Sequence, residues 1–201
     1  MAATLSAQEK HIFGVRAGLN VANMTVKSGD LSMSPSSKAS FQIGGSYQYN
    51  FLDSMPFYLE TGLYFTGRGF KLDHDGISLK ANLFYLQIPV VVNYHWDVVD
   101  AVSIQPYVGL YYGFGVCGKL KMEEGGESEK IDAFKSGDGY DQSLKRSDLG
   151  LRFGVGVNFL EKYYAGLGYD LGLMDVANSD GDLGDVKFKN GCFFIQVGYK
   201  F

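Results

Sequence analysis

Cysteine, proline, tryptophan and histidine are all scarce: the 201 residues include 2 Cys, 4 Pro, 1 Trp and 3 His. Two cysteines far apart, Cys117 and Cys192, exclude a disulfide scaffold and a cysteine-based zinc module. The histidines, His11, His74 and His95, are dispersed and form no HExxH pattern, so no metal or cofactor is expected. Positive charge is not in excess either. With 18 Lys+Arg against 22 Asp+Glu the chain carries net −4, which offers no electrostatic footprint for nucleic acid. No apolar run approaches the roughly 18 residues of a membrane helix; Ile88 to Val92 is far too short.

What the chain has in quantity is glycine, 27 residues, about twice the usual share of about 7%. Its length suits one domain with a sizeable core. Residues 1–10, opening M-A-A-T-L-S-A, read as a signal-peptide remnant or an added leader, and residues 11–201 as the single domain.

Strict alternation, the mark of a strand with two unlike faces, begins at once in His11-Ile12-Phe13-Gly14-Val15-Arg16-Ala17-Gly18-Leu19-Asn20-Val21. The same signal, punctuated by turn residues, predicts eight strands near 12–22, 40–50, 57–68, 82–96, 102–116, 147–158, 163–173 and 188–201. On one parity the positions of these strands are almost all apolar, with Gly45, Thr61 and Pro106 as exceptions within the strand interiors. The other parity holds most of the glycines and seven charges: Arg16, Glu60, Arg68, Asp148, Arg152, Asp170 and Lys200.

The two faces decide the environment. A water-soluble sandwich or lipocalin-like barrel turns its apolar face inward. An eight-stranded barrel has room only for a modest filling of side chains, which suits the glycine-rich face and not the bulky one. The apolar face must then point outward, where lipid accepts it. A closed barrel is also the one sheet that leaves no unpaired backbone in a bilayer. The expected fold is an all-β, eight-stranded antiparallel up-and-down transmembrane β-barrel. Its predicted connections, 23–39, 51–56, 69–81, 97–101, 117–146, 159–162 and 174–187, alternate long and short, as the surface loops and periplasmic turns of outer-membrane barrels do. Both termini would then be periplasmic. Aromatic residues gather at two depths, with Phe13, Tyr49, Trp96, Tyr163 and Tyr199 toward one end and Phe41, Phe65, Phe84 and Phe114 toward the other, as interfacial girdles require.

Phe13-Gly14-Val15-Arg16-Ala17-Gly18-Leu19-Asn20, Phe57 to Phe65 and Tyr85-Leu86-Gln87-Ile88-Pro89-Val90 resemble the small outer-membrane β-barrel proteins of Gram-negative bacteria, the porin-family or OmpA/OmpX-like barrels. The last strand, with Val197, Tyr199 and terminal Phe201, resembles the signal read by the barrel-assembly machinery. The likeness spans 12–201 and implies an integral outer-membrane protein, a monomer among lipid and lipopolysaccharide. Such barrels often carry an acidic residue before Ile-Pro, where this chain has Gln87.

For the seven inward charges, four positive and three negative, two uses stand side by side. Mutual pairing, with help from Tyr58, Tyr64, Tyr85, Tyr107 and Gln105, would make a structural plug, because unpaired buried charge is costly. A narrow gated path for ions or very small solutes is the alternative. The loops 23–39, 69–81, 117–146 and 174–187 could meet an extracellular ligand, since long loops on a rigid scaffold usually carry recognition. Asp73-His74-Asp75 with Ser78 is the only hint of a catalytic group, and no catalytic residue is assigned. Asp73 to Gly76 and Asn178 to Asp182 resemble fragments of calcium loops without the full ligand spacing. Cys117 and Cys192 share the inward parity, but on strands that are not neighbours. The expected function is non-enzymatic: structural, or surface recognition through the loops.

The chain should fold only in detergent or lipid. A heat-modifiable gel shift with β-type circular dichroism in micelles is the expected result; a folded monomer in plain buffer would contradict it.

Overall fold

The computed structural model describes residues 10–28, 31–33, 36–52, 55–74, 77–124, 127–134, 144–174 and 186–201. Twelve strands follow in order: β1 (His11–Ser28), β2 (Leu31–Met33), β3 (Ser36–Asn50), β4 (Phe57–Arg68), β5 (Phe70–His74), β6 (Ile77–Tyr94), β7 (Trp96–Val99), β8 (Val102–Glu124), β9 (Glu127–Asp132), β10 (Ser147–Phe159), β11 (Tyr163–Gly172) and β12 (Val186–Lys200). Eight of them, β1, β3, β4, β6, β8, β10, β11 and β12, form the wall, each antiparallel to its sequence neighbour in the wall. The wall closes where β1 meets β12, with Gly14 opposite Lys200 and Leu19 opposite Ile195. The expected eight-stranded meander is therefore present. The other four strands are short extensions of its hairpins.

The faces fall as the alternation requires. Phe13, Leu19, Ile43, Val108, Ile195 and Val197 are exposed on the outer wall, Leu19 to 71%. Arg16, Glu60, Arg68, Asp148, Arg152, Asp170 and Lys200 are all buried within the barrel. The inward glycines make room for inward tyrosines. A Cβ on Gly156 or Gly166 would lie 2.4 or 2.6 Å from Tyr164, and one on Gly154 or Gly168 would lie 2.4 Å from the Tyr107 hydroxyl. Tyr64 lies over Gly44 and Gly62 in the same way. Each ring is laid flat across the wall of a narrow interior, and only a residue without Cβ fits beneath it.

The connections depart from expectation. Much of 69–81 is strand, forming β5 and the start of β6, and 117–146 contains the end of β8 and all of β9. Similarly, β1 runs on to Ser28 and β3 begins at Ser36. The physical reason is a reversal of the pattern. Crossing hydrocarbon takes about 9–11 residues of a tilted strand, whereas β8 has 23. Beyond the lipid-facing band the outer face meets water, so Lys80, Asn82, Lys119 and Lys121 point outward while Ala81, Leu83 and Leu120 turn inward. In β8 a bulge opposite Phe84 and Tyr85 accompanies the change. At the opposite end the turn after β10 is tight: Leu160 and Glu161 adopt φ of 51° and 59°, the left-handed values of a short hairpin.

The bulge also corrects the expected orientation of Cys117. Gly115 pairs with Tyr85 and Cys117 with Phe84, so the intervening Val116 shifts the phase. Cys117 is exposed and Cys192 is buried, and both are free thiols.

Replacing Gly156 by Val should cost about 1–3 kcal/mol through overpacking against Tyr164, measured by urea unfolding in detergent. Gly45→Val faces outward, with only the Gly14 carbonyl at 3.8 Å, and should be close to neutral. Equal costs at both positions would contradict the packing described.

Candidate functional site: a two-tier closure of the lumen

Inward parity brings all seven expected charges into the barrel interior, where they form two connected clusters. In the first, Arg16 on β1 reaches across to Glu60 on β4, with Nη1 to Oε1 at 2.5 Å and Nη2 to Oε2 at 2.8 Å. Gln48 Nε2 and Asn93 Nδ2 donate to the same carboxylate at 2.6 and 2.7 Å. The Arg16 guanidinium lies 4.0 Å from the centre of the Tyr164 ring, a favourable stacking position. Lys200 Nζ donates to Gln48 Oε1 at 3.2 Å, tying the last strand to the same group.

The second cluster centres on Asp170 of β11. Arg152 donates to it from Nε (2.7 Å) and Nη2 (2.9 Å). Arg68 reaches it from the far wall through Nη2 at 2.8 Å and reaches Asp148 Oδ2 through Nη1 at 3.2 Å. Gln87 accepts from Arg68 Nη2 at 3.0 Å and donates to Asp170 at 3.0 Å. Asp148 Oδ2 also accepts from Asn190 Nδ2 at 3.1 Å and from the Tyr111 hydroxyl at 3.3 Å. Charge-assisted bonds of this kind are the strong ones, and each carboxylate here receives several. Strands that are not neighbours are thereby tied to each other through the interior.

The second tier is apolar and lies toward the end remote from the termini. Ala133, Phe134 and Leu144 pack inward beneath β8 and β9 against Phe70, Ala81, Leu83 and Tyr85. Phe134 meets Tyr85 edge-on, with ring centroids 5.9 Å apart. It fits because Gly115 and Gly118 lack a Cβ, which would stand 2.6 and 2.8 Å from its ring. Arg146 fastens the segment, donating from Nη1 to the Gly115 carbonyl at 3.0 Å and from Nη2 to the Phe134 carbonyl at 3.1 Å.

Of the tyrosine and glutamine partners expected for the charges, Gln105 accepts from Lys200 at 3.4 Å. Tyr107 donates instead to the Leu167 carbonyl at 3.3 Å. Sequence reading passed over Tyr111, Gln48, Asn93 and Asn190, although their inward parity marks them as polar lumen residues. It also missed Phe134. The available signal was the apolar pair Ala133-Phe134 inside an otherwise polar stretch.

His11 and His95 lie apart: His11 Nδ1 is 2.7 Å from the Tyr47 hydroxyl, and His95 stacks on Tyr58 with ring centroids 3.9 Å apart. The side chains of Asp73 to Gly76 and the segment Asn178 to Asp182 lie outside the described residues. Among the described residues no group of His, Cys, Asp and Glu is arranged to hold a metal ion. Val197, Tyr199 and Phe201 sit on the outer wall, with Tyr199 edge-on to both Tyr163 and Phe201.

A membrane-compatible closed barrel with a packed polar interior defines a class, the small integral outer-membrane barrels. The chain matches the family described as outer membrane protein beta-barrel domain over residues 6–178, and it belongs to that family. That membership makes it a barrel of the Gram-negative outer membrane. Solved structures similar to it include Ail, the attachment invasion locus protein of Yersinia pestis, at 19% identity and TM-score 0.45, covering 96% of this chain and 99% of that one. The outer membrane protein OprG from Pseudomonas aeruginosa is similar at 15% identity and TM-score 0.48, covering 94% and 95%. Neisserial surface protein A is similar at 18% and 0.42, covering 94% and 97%. No curated protein matches the chain.

Glu60→Leu alone should cost about 3–5 kcal/mol, because it leaves Arg16 buried without its counter-charge. Combining it with Arg16→Met should recover most of that loss. A double-mutant cycle by urea unfolding in detergent measures the coupling, and additive costs would contradict the pairing.

Proposed function

We propose that this protein is a non-enzymatic, non-conducting outer-membrane barrel with a structural or surface-recognition role. The observation that carries this reading is the double closure of the lumen. The Arg16–Glu60 and Arg68–Asp148–Asp170–Arg152 clusters span the interior, and Phe134 with its neighbours fills the interior above them. A path for ions would have to break several charge-assisted bonds in a low-dielectric interior, which costs several kcal/mol per stranded charge.

Both termini are periplasmic in this reading. The connections at the opposite end, 23–39, 69–81, 117–146 and 174–187, are then the surfaces offered to the outside. The C-terminal pattern of Val197, Tyr199 and Phe201 serves the barrel-assembly machinery during insertion, and the inserted protein is a monomer. Catalysis has no support in the geometry of the described residues, where no nucleophile, base and orienter converge.

Planar-bilayer recording tests the closure. The intact protein, inserted at a density verified by its heat-modifiable band, should give no discrete openings. Reproducible unitary steps would favour the gated path through the charged lumen and overturn the proposal.

A further inference from the structure

At the end that holds the chain termini, the inward face of β6 finishes in a histidine. His95 follows Val91 and Asn93 on that face and directly precedes the wholly exposed strand β7. Its ring lies flat on Tyr58 of β4, with centroids 3.9 Å apart and planes inclined by 13°. Tyr58 is buried and stands two residues before Glu60, on the same inward face. The backbone of His95 is fastened as well, its N–H donating to the Pro56 carbonyl at 2.9 Å. The stacked pair therefore separates the Arg16–Glu60 cluster from the terminal mouth of the lumen.

The surroundings suit a neutral imidazole. Among the described residues nothing hydrogen-bonds to the buried Nε2, so a proton placed there would have no acceptor. The charged groups that face the ring are Lys200 from β12, Glu60 from β4 and Arg16 from β1. Glu60, the one anion among them, is already bonded to Arg16, Gln48 and Asn93. At this level β8 carries the uncharged Ser103 and Gln105. Burial first, and then the Lys200 ammonium, pushes the imidazole down to about 3 from the ordinary 6.5; Glu60 opposes the shift and Arg16 adds to it. A histidine that resists charging in one conformation and charges freely in another couples the two to pH. Turned out of the stack into water, His95 regains its ordinary range. Each pH unit below about 6.5 then favours the turned-out ring about tenfold, until the stacked ring itself becomes charged.

We propose that His95 is a pH-responsive cover on the terminal mouth of the lumen, closed over Tyr58 when neutral and turned outward when protonated, so that acid admits water to the Arg16–Glu60 cluster. The second cluster and the apolar tier around Phe134 stay in place, and the lumen remains closed. That this mouth meets the periplasm rests on the orientation given above. The cover itself does not, because both ends of a barrel in a micelle share one pH, so the two can fail separately.

The test is proton exchange at the guanidinium groups of the full chain in detergent micelles, followed by nuclear magnetic resonance. Arg152, in the second cluster, is the internal reference: the ratio of the Arg16 rate to the Arg152 rate removes the intrinsic effect of pH on exchange. Between about pH 6.5 and about pH 4 that ratio should rise at least about tenfold, and the ring nitrogens of His95 should take up their proton over the same range. His95→Phe keeps a stacking ring without a titrating group, so its ratio should stay flat while its heat-modifiable shift is retained. A flat ratio in the parent, or an equal rise in folded His95→Phe, as protonation of Glu60 would give, overturns the proposal. If His95→Phe does not fold, the parent alone decides: Arg16 exchange that accelerates without protonation of His95 overturns it, and acceleration in step with that protonation supports it.

Discussion

The antiparallel seam between β1 and β12 is the constraint on which everything else depends. In hydrocarbon an unpaired strand edge would leave a row of N–H and C=O groups without partners, at several kcal/mol each. The seam removes that edge by running from Gly14 opposite Lys200 up to Ser28 opposite Val186. Once the sheet is closed with eight strands in the wall, its interior is fixed as narrow. The outer face must then be apolar, and the inner face must be small or polar with its charges paired. Glycines under tyrosines meet the first demand, and the Arg16–Glu60 and Arg68–Asp170–Arg152 clusters meet the second.

The same chain serves two environments along one strand. Where β6 and β8 face lipid, Leu86, Ile88, Val108 and Phe114 point outward. A few residues on, Lys80 and Lys121 take the outer face and Ala81 and Leu83 the inner one. This exchange of apolar and charged faces builds a small second core above the membrane, into which Phe134 folds. The lumen is filled by ionic contacts at mid-depth and by hydrophobic contacts near the surface.

Much of this was legible in the sequence because alternation reports directly on which side of a wall a residue lies. The seven inward charges followed from parity, and the eight strands of the wall from parity together with the turn residues. Partner choice within the lumen was not legible. Parity places Arg16 inside, but only the stagger of the strands brings it to Glu60 and not to Asp170. The upper hairpins were expected as loops because the criterion for a strand was an apolar outer face, which holds only within lipid. Cys117 was placed inward because a single-residue bulge reverses parity without leaving a mark in composition. Phe134 was overlooked because a lone aromatic in a polar stretch has no periodicity to betray it.

A lipid-facing apolar wall encloses an interior crossed by paired charges. Nuclear magnetic resonance of the chain in lipid nanodiscs, with a lipid-soluble paramagnetic probe, tests both halves in one sample. The methyl signals of Leu19, Val108 and Ile195 should be strongly broadened by the probe, while the guanidinium protons of Arg16 and Arg152 exchange slowly with water. Methyl groups untouched by the probe, or guanidinium protons exchanging as freely as those of an exposed arginine, would contradict the account.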